Sequence, residues 1–152
     1  QQTGPFVMSL PVTPMDVFWG KLVANLVIYL VPFLLVGGGL VMLVQTTPLP
    51  DGTLPWLTAI FVFMLLVFCI SLCVAIVVDS EGWNVFAMLT LMTLVGPYIY
   101  WISQFDSVIR YRATDGIVWG RPLLALLGVE FALMLLAILV AGWLHTRKRS
   151  FL

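Results

Sequence analysis

Few side chains in this sequence have the chemistry of a reactive site, and they are widely spaced. Glu130 is the one acid inside a long apolar run, residues 122–146. Cys69 and Cys73 lie four residues apart, which places both thiols on one face of a helix. A structural zinc site needs four ligands, however, and His145 is the only histidine, so we predict no metal site. Neither a GxxxxGK[ST] phosphate loop nor an HExxH motif occurs, so we expect no enzyme activity in this chain.

Glu130 is the most anomalous of these residues. It lies eight residues past Pro122, about 12 Å along a helix that rises 1.5 Å per residue. An ionised side chain at such a depth costs a few kcal/mol and is expected to face a bundle interior or a watery path. A functional interpretation makes it a substrate contact or a gate. A structural interpretation makes it a neutral carboxyl that is hydrogen-bonded to Thr90, Thr93 or another helix, and the sequence leaves both open.

The elements that must position these residues are membrane helices. The chain is 62% hydrophobic and 9% charged, with a mean hydropathy of +1.11, whereas about a quarter of the residues in soluble domains are charged. A spanning helix needs roughly 20 apolar residues. We therefore predict an all-α polytopic membrane helix bundle, one domain over residues 1–152. Its parts are a cytoplasmic elbow at 1–21, transmembrane helices at 22–44, 56–78, 83–103 and 122–144, and a tail at 145–152.

The positions of the tryptophans agree with these helices, because each falls at or beside a predicted helix end. An indole ring prefers the headgroup region of a bilayer. The six residues are Trp19, Trp56, Trp83, Trp101, Trp119 and Trp143.

Four crossings place both chain ends on the same side of the membrane. Lys21 and the basic run 147–149 share that side, against Arg110, Arg112 and Arg121 before the last helix. The positive-inside rule then predicts that both ends are cytoplasmic, in a multi-pass protein of the cell membrane surrounded by lipid. The net charge of zero gives no reason to expect a nucleic-acid partner.

The segment "SLPVTPMDVFWGK" before the first apolar run carries a helix-start signal. Thr13 is a good N-cap, Pro14 suits the first helical position, and Asp16 can complete a capping box. Pro11 disfavours helix at the residue before it. We therefore predict a bend followed by a helix that begins at Pro14.

An apolar group lies upstream of this bend, at Phe6, Val7, Met8 and Leu10. Exposed apolar patches commonly mark a surface that a protein partner or a membrane covers. Physics alone leaves open whether this patch contacts a protein or lipid headgroups.

The run "GPFVMSLPVTPMDVFWGKLVANL" resembles the loop after the second helix of ABC-2-type transporter permeases. The matching positions are Pro11, Val12, Thr13, Asp16, Gly20 and Lys21. The resemblance implies that the elbow is a coupling helix, which docks on a separate cytoplasmic ATP-binding cassette ATPase. The implied docking residues are Phe6, Met8, Pro11, Thr13, Pro14, Asp16 and Lys21.

The resemblance also implies the wider assembly. The four helices correspond to the third to sixth helices of the family, with the first two preceding this chain. A second permease copy completes the pathway, and ATP and Mg are bound by the partner ATPase, so this chain itself needs no cofactor.

A break is expected in the third predicted helix, within "LVGPYIYW". Pro97 follows Gly96 and removes a backbone donor, which interrupts a helix. Because members of the family place re-entrant helices after this span, its aromatic residues suit an outer lip. These are Tyr98, Tyr100 and Trp101. The candidates for a translocation pathway are Glu130, Gly96 and Pro97.

Two local features carry smaller predictions. Three consecutive glycines at 37–39 are expected to allow close helix packing. Asp79 or Ser80 is expected to cap the third helix, and Glu81 to favour the positive end of its dipole.

Two functions follow from the sequence. The first is the membrane-spanning permease of an ATP-driven exporter, in which a separate subunit hydrolyses ATP. The alternative is a non-transporting membrane assembly or scaffold protein that recruits a cytoplasmic partner.

Overall fold

The structure is a computed structural model that describes residues 13–78 and 80–148. Three of the predicted docking residues, Phe6, Met8 and Pro11, lie outside the described residues, as does Asp79.

The described chain is helical throughout and contains no strand within residues 13–78 and 80–148. Its helices are α1 (Pro14–Thr46), α2 (Thr53–Val77), α3 (Glu81–Thr93), α4 (Val95–Ser103), α5 (Asp106–Tyr111) and α6 (Arg121–Lys148). Helices α1, α2 and α6 are each long and apolar enough to cross a membrane, and α3 and α4 together form a fourth such segment. The predicted all-α class with four spanning helices is confirmed. All six tryptophans lie within five residues of a helix end.

Helix α2 is the centre of the bundle, and α1, α3, α4, α5 and α6 all pack against it. Its principal partner is α6. Three groups of buried residues follow the α2–α6 contact from one end to the other. They contain Ala59 with Leu123, then Leu66 with Met134, then Cys73 with Ala141. Residue numbers rise together along both helices, so α2 and α6 run in the same direction.

Helix α1 runs opposite to them and brings the two ends of the described chain together. Phe18, near the start of α1, is fully buried against Cys73 of α2 and Ala141 of α6. Its ring centroid lies 5.7 Å from that of His145. The start of α1 and the end of α6 therefore lie at the same end of the bundle, as four crossings require.

The third spanning segment is broken at Leu94, three residues before Pro97. Helix α3 ends at Thr93, and the N–H of Leu94 donates to Leu91 O at 3.1 Å, which tightens the last turn. Helix α4 begins at Val95, so Pro97 sits in its first turn, where its missing N–H leaves no helical bond unmade. The predicted interruption is present.

The loop after α5 is clamped onto the start of α2. The Gly52 N–H donates to Thr114 O at 2.9 Å, and the Thr53 hydroxyl donates to Arg112 O at 3.3 Å. A Cβ atom on Gly52 would lie 1.8 Å from Tyr111 O, so only glycine allows the two backbones to approach this closely. The contact fixes the α5 end of the bundle.

The glycine run at 37–39 packs closely at only one position. A Cβ on Gly37 would meet the Phe61 ring at 3.0 Å, whereas Gly38 and Gly39 face open space. The expectation of close packing therefore holds for Gly37 alone.

The outer surface of the bundle is apolar. Ile28 and Leu35 of α1 and Leu139 of α6 are each about 70% exposed, at 73%, 72% and 68%. In a bilayer such side chains face hydrocarbon at no cost, because lipid tails are as apolar as they are.

Candidate functional site

The predicted capping box at the start of α1 is present in full. The Asp16 N–H donates to Thr13 Oγ1 at 3.2 Å, and the Thr13 N–H donates to Asp16 Oδ2 at 2.9 Å. The Thr13 hydroxyl also donates to Asp16 Oδ2, at 2.7 Å. Pro14 occupies the first turn, as expected. Thr13 and Asp16 are exposed, so the acid is open to a partner while it holds the helix start.

The first turns of α1 are fixed to the bundle by a residue that the sequence did not single out. Phe18 is buried, whereas its neighbours Trp19 and Lys21 are exposed. A Cβ on Gly142 of α6 would lie 3.4 Å from the Phe18 ring, so the ring is in contact with α6. This ring therefore joins the start of α1 to α6.

Glu130 lies in the interior of the bundle, as the cost of an ionised side chain in lipid predicted. Its side chain is 2% exposed. Its partner is Tyr98 of α4, whose hydroxyl donates to Glu130 Oε1. The Tyr98 hydroxyl also lies 3.4 Å from Ala59 O of α2. The carboxyl is therefore bound at the junction of α2, α4 and α6.

The predicted threonine partners of Glu130 are wrong. Thr90 and Thr93 are exposed, and each hydroxyl donates within its own helix at 2.8 Å, to Phe86 O and Leu89 O. A threonine hydroxyl that bonds its own preceding turn has no proton left for another helix. The alternative in the same prediction, a partner on another helix, is the one present.

Tyr98 departs from its predicted place at an outer lip. Its ring is half-buried and stacks on Phe63 of α2, with centroids 3.7 Å apart and planes 5° apart. Tyr100 and Trp101 are exposed, at 71% and 52%, as a lip requires. Tyr98 therefore faces the bundle, while Tyr100 and Trp101 of the same helix face outward.

Gly96 and Pro97, the other two pathway candidates, are not brought to Glu130. Both are exposed, and a Cβ on Gly96 would meet nothing within 4 Å. Both lie in the first turn of α4, the helix that presents Tyr98. Tyr98, directly after the predicted pair, is therefore the residue that the sequence assigned to the outer lip and the structure places at Glu130.

The two carboxyl oxygens of Glu130 differ in their hydrogen bonds. Oε2 is buried and has no hydrogen-bond partner among the described residues. Tyr98 has one hydroxyl proton and two acceptors beside it, Glu130 Oε1 and Ala59 O. A neutral carboxyl supplies the second proton: Glu130 then donates to the Tyr98 oxygen, and Tyr98 donates to Ala59 O. An ionised carboxyl can only accept, and the Tyr98 hydroxyl then donates to Glu130 Oε1.

The α5 end of the site is closed by a tryptophan. Trp56 Nε1 donates to Ser103 Oγ of α4 at 3.2 Å, and the Arg112 guanidinium lies over the Trp56 ring, 4.3 Å from its centroid. A cation over an indole face is attracted by the ring quadrupole. These contacts join α2, α4 and the loop after α5 beyond Glu130.

The two cysteines offer no metal site. Cys69 and Cys73 are buried free thiols on α2. Among residues 13–78 and 80–148, no group of three or more His, Cys, Asp or Glu side chains is placed to hold a metal ion. At the start of α3, Ser80 occupies the N-cap position but makes no capping hydrogen bond, and Glu81 lies in the first turn.

The fold and this site define a class: a helical membrane bundle with an acid buried against a broken spanning helix. Comparison of the chain with protein-family models, curated proteins and solved structures gave no match.

Proposed function

We propose that this chain is the membrane-spanning permease part of an ATP-driven ABC transporter of the ABC-2 type, an exporter. A separate cytoplasmic ATPase subunit binds ATP and Mg and docks on the elbow that ends at Lys21. A second permease copy lines the pathway with this one. Both ends of the chain are then cytoplasmic, in the plasma membrane.

The observation that best supports a transport function is the burial of Glu130. An ionisable side chain inside a membrane bundle is costly, and such residues by default serve ion or substrate pathways. Broken helices at membrane depth are also typical of transporter binding sites. A bundle that only recruits a partner needs neither a buried acid nor an interrupted span, so this pair of features favours transport over the scaffold alternative.

The elbow supplies the link to an ATPase. The resemblance of residues 4–26 to a coupling loop suggests the partner, and the local geometry is suited to that role. Asp16 is exposed and held by Thr13, while Phe18 fixes the same helical turns to α6. A force applied at the elbow is therefore carried into the helix that bears Glu130.

The test is co-expression with an ABC ATPase encoded beside the chain, followed by co-purification and measurement of ATP hydrolysis in vesicles. We expect Asp16→Ala to reduce the bound ATPase up to about fivefold, since losing one exposed charged contact with the partner costs up to about 1 kcal/mol. Asp115→Asn is the matched control, because it removes an exposed carboxylate from the loop at the opposite end of the bundle.

Two results would contradict parts of the proposal, the first the coupling role of the elbow and the second the role of Glu130. If Asp16→Ala leaves ATPase binding and stimulation unchanged, the elbow is not a coupling element. If the ATPase binds but Glu130→Gln retains full ATP-dependent dye uptake into inside-out vesicles, the carboxyl has no part in transport. An ATPase that binds with no ATP-dependent uptake of any solute would favour the scaffold alternative.

A further inference from the structure

A groove on the opposite side of α2 from the Glu130 site has the composition of a ligand site. It encloses about 330 Å³ between α1, α2 and α3, which is within the size range of small-molecule pockets. Its lining is Asn25 from α1, Phe68, Ser71, Leu72 and Ala75 from α2, and Asn84, Val85, Met88 and Met92 from α3. None of these side chains is charged.

Asn84 leaves an unpaired acceptor in this groove. Its Nδ2 donates to Val78 O at 3.3 Å, which fixes the orientation of the amide. Its Oδ1 is buried and has no partner among the residues that the structure describes. A buried acceptor without a donor costs about 1–3 kcal/mol, which a donor on a bound ligand would recover.

The other polar groups of the groove are also acceptors. Asn25 Nδ2 donates to Lys21 O at 2.8 Å, and the Ser71 hydroxyl donates to Val67 O at 2.9 Å. The Ser71 proton and one of the two N–H groups of Asn25 are thus used within their own helices, while the Asn25 carbonyl oxygen and the lone pairs of Ser71 can still accept. An anionic ligand meets no positively charged side chain here, whereas a ligand with a hydroxyl meets an unpaired acceptor, Asn84 Oδ1.

The polar and apolar parts of the groove lie at different depths. Asn84 is three residues from the start of α3, about 4.5 Å along its axis, whereas Met92 is eleven residues from it, about 16 Å. On α2, Phe68 lies deeper than Ser71, measured from the helix end at Val77. A molecule with one polar end therefore fits with that end toward the bundle surface and its apolar part toward the bilayer centre.

The apolar part of the groove has both a rigid and an adaptable wall. Phe68 is stacked on Tyr29 of α1, with ring centroids 3.6 Å apart and planes 5° apart, which fixes the floor. Met88 and Met92 are flexible and polarizable, so they adjust to differently shaped alkyl chains. Both methionines are about half-exposed, at 53% and 47%, so the groove is open between α1 and α3.

We propose that this groove binds a neutral amphiphile from the bilayer, an alkyl chain that carries a terminal hydroxyl, and that the hydroxyl donates to Asn84 Oδ1. The site is separate from Glu130 and does not depend on the proposed transport function.

The experiment is photolabelling of the purified chain in phosphatidylcholine vesicles with two diazirine probes of equal length. One is a long-chain primary alcohol and the other is its methyl ether, which accepts but cannot donate. Peptide mass spectrometry locates the adducts. We expect the alcohol to label Phe68 and Met88 about fivefold more than the ether, the ratio for one net hydrogen bond of about 1 kcal/mol.

A second cavity supplies an internal comparison in the same sample. It encloses about 210 Å³ between α1 and α2, around Gly37 and Phe61. Its one polar side chain, Thr58, already donates to Leu54 O at 2.8 Å. Both probes should label this cavity equally.

The variants separate the acceptor from the groove itself. Asn84→Leu keeps a similar volume and should reduce the alcohol-to-ether ratio to about one while leaving ether labelling in place. Thr90→Val is the control, because Thr90 is on the same helix, exposed and outside the groove.

Three results would overturn the proposal. The first is equal labelling by the two probes in the wild-type chain, which needs no variant. The second is a ratio that survives Asn84→Leu. The third is efficient disulfide formation between copies of a Val85→Cys variant with no labelling by either probe, since a second copy of the chain would then fill the groove.

Discussion

Replacing Tyr98 by phenylalanine tests the centre of the candidate site with the smallest possible change. The variant keeps the ring that stacks on Phe63 and removes only the hydroxyl. Glu130 then has no described hydrogen-bond partner on either oxygen, because Oε2 lacks one already. The cost therefore falls on a buried carboxyl rather than on packing.

The size of the effect is bounded from two directions. Removing one partner of a buried hydrogen bond costs about 1–3 kcal/mol in soluble proteins. Double-mutant cycles in a membrane helix bundle average about 0.6 kcal/mol with a maximum of about 1.7, because the unfolded state in the membrane also finds partners. Glu130 is 2% exposed, so substitute partners are few. We expect Tyr98→Phe to lower the free energy of unfolding by about 1–2 kcal/mol.

The assay is unfolding by SDS in mixed micelles, followed by circular dichroism. Tyr100→Phe is the matched control: Tyr100 is on the same helix but 71% exposed, and its variant should lie within about 0.5 kcal/mol of wild type. Glu130→Leu completes the cycle. The double variant Tyr98→Phe/Glu130→Leu should be near wild type, because replacing both members of a buried polar pair by apolar groups is often neutral.

A coupling between Tyr98 and Glu130 is refuted if the effects of the two single variants on the free energy of unfolding simply add in the double variant. Additivity within about 0.3 kcal/mol is the behaviour of independent sites. The hydrogen bond would then contribute nothing to holding α4 against α6, and the junction would depend on packing, including the Tyr98–Phe63 stack and the burial of Ile102 against Leu123.

Two further predictions concern the ends of the helices. Gly52→Ala should lower the free energy of unfolding by about 3 kcal/mol, the upper end for overpacking, because the new methyl would lie 1.8 Å from Tyr111 O. Gly116→Ala is the control and should be near neutral in the same SDS titration, because its new methyl meets nothing within 4 Å. Equal effects of the two variants would mean that the loop moves away from Gly52 at no cost. Thr13→Ala should lower the stability of the α1 start by about 1 kcal/mol through the loss of the N-cap, which is measurable as faster amide hydrogen exchange around Asp16. Thr13→Ser should restore the protection from exchange. Unchanged protection in Thr13→Ala would show that the cap is dispensable.

The features that could be predicted from the sequence are those decided by a few neighbouring residues or by large energies. The capping box involves Thr13 and Asp16, three positions apart, so its geometry follows from the local backbone. Four spanning helices follow from the length of the apolar runs. The burial of Glu130 follows from the cost of a charge in lipid, because a lipid-facing carboxylate would bear that cost.

The partners across the bundle could not be predicted, for a physical reason. A membrane helix is apolar on all sides, so hydrophobic periodicity does not show which face is buried. Phe18 is buried and Leu35 is exposed, yet both are apolar residues of α1. Tyr98 faces inward onto Phe63 of α2 and Glu130 of α6, two partners distant in sequence that no local pattern indicates.

The arrangement around α6 sets the route by which the two candidate sites can influence each other. Ala141 contacts Phe18 at the α1 start, and Glu130 lies eleven residues earlier on the same helix, about 16 Å away along its axis. Helix α6 is continuous between them, with no break from Arg121 to Lys148. Under the proposed function, a shift of the elbow therefore moves α6 as a rigid unit. The helix that changes position relative to α6 is then the one that contacts Glu130. That element is α4, which the turn at Leu94 separates from α3 and which the Tyr98 hydroxyl joins to α6. Removing this hydrogen bond should loosen α4 without disturbing the α2–α6 contact, while the Trp56–Ser103 hydrogen bond and the Tyr98–Phe63 stack still hold α4 to α2. A Tyr98→Phe chain should therefore still bind its ATPase while its uptake depends less on ATP.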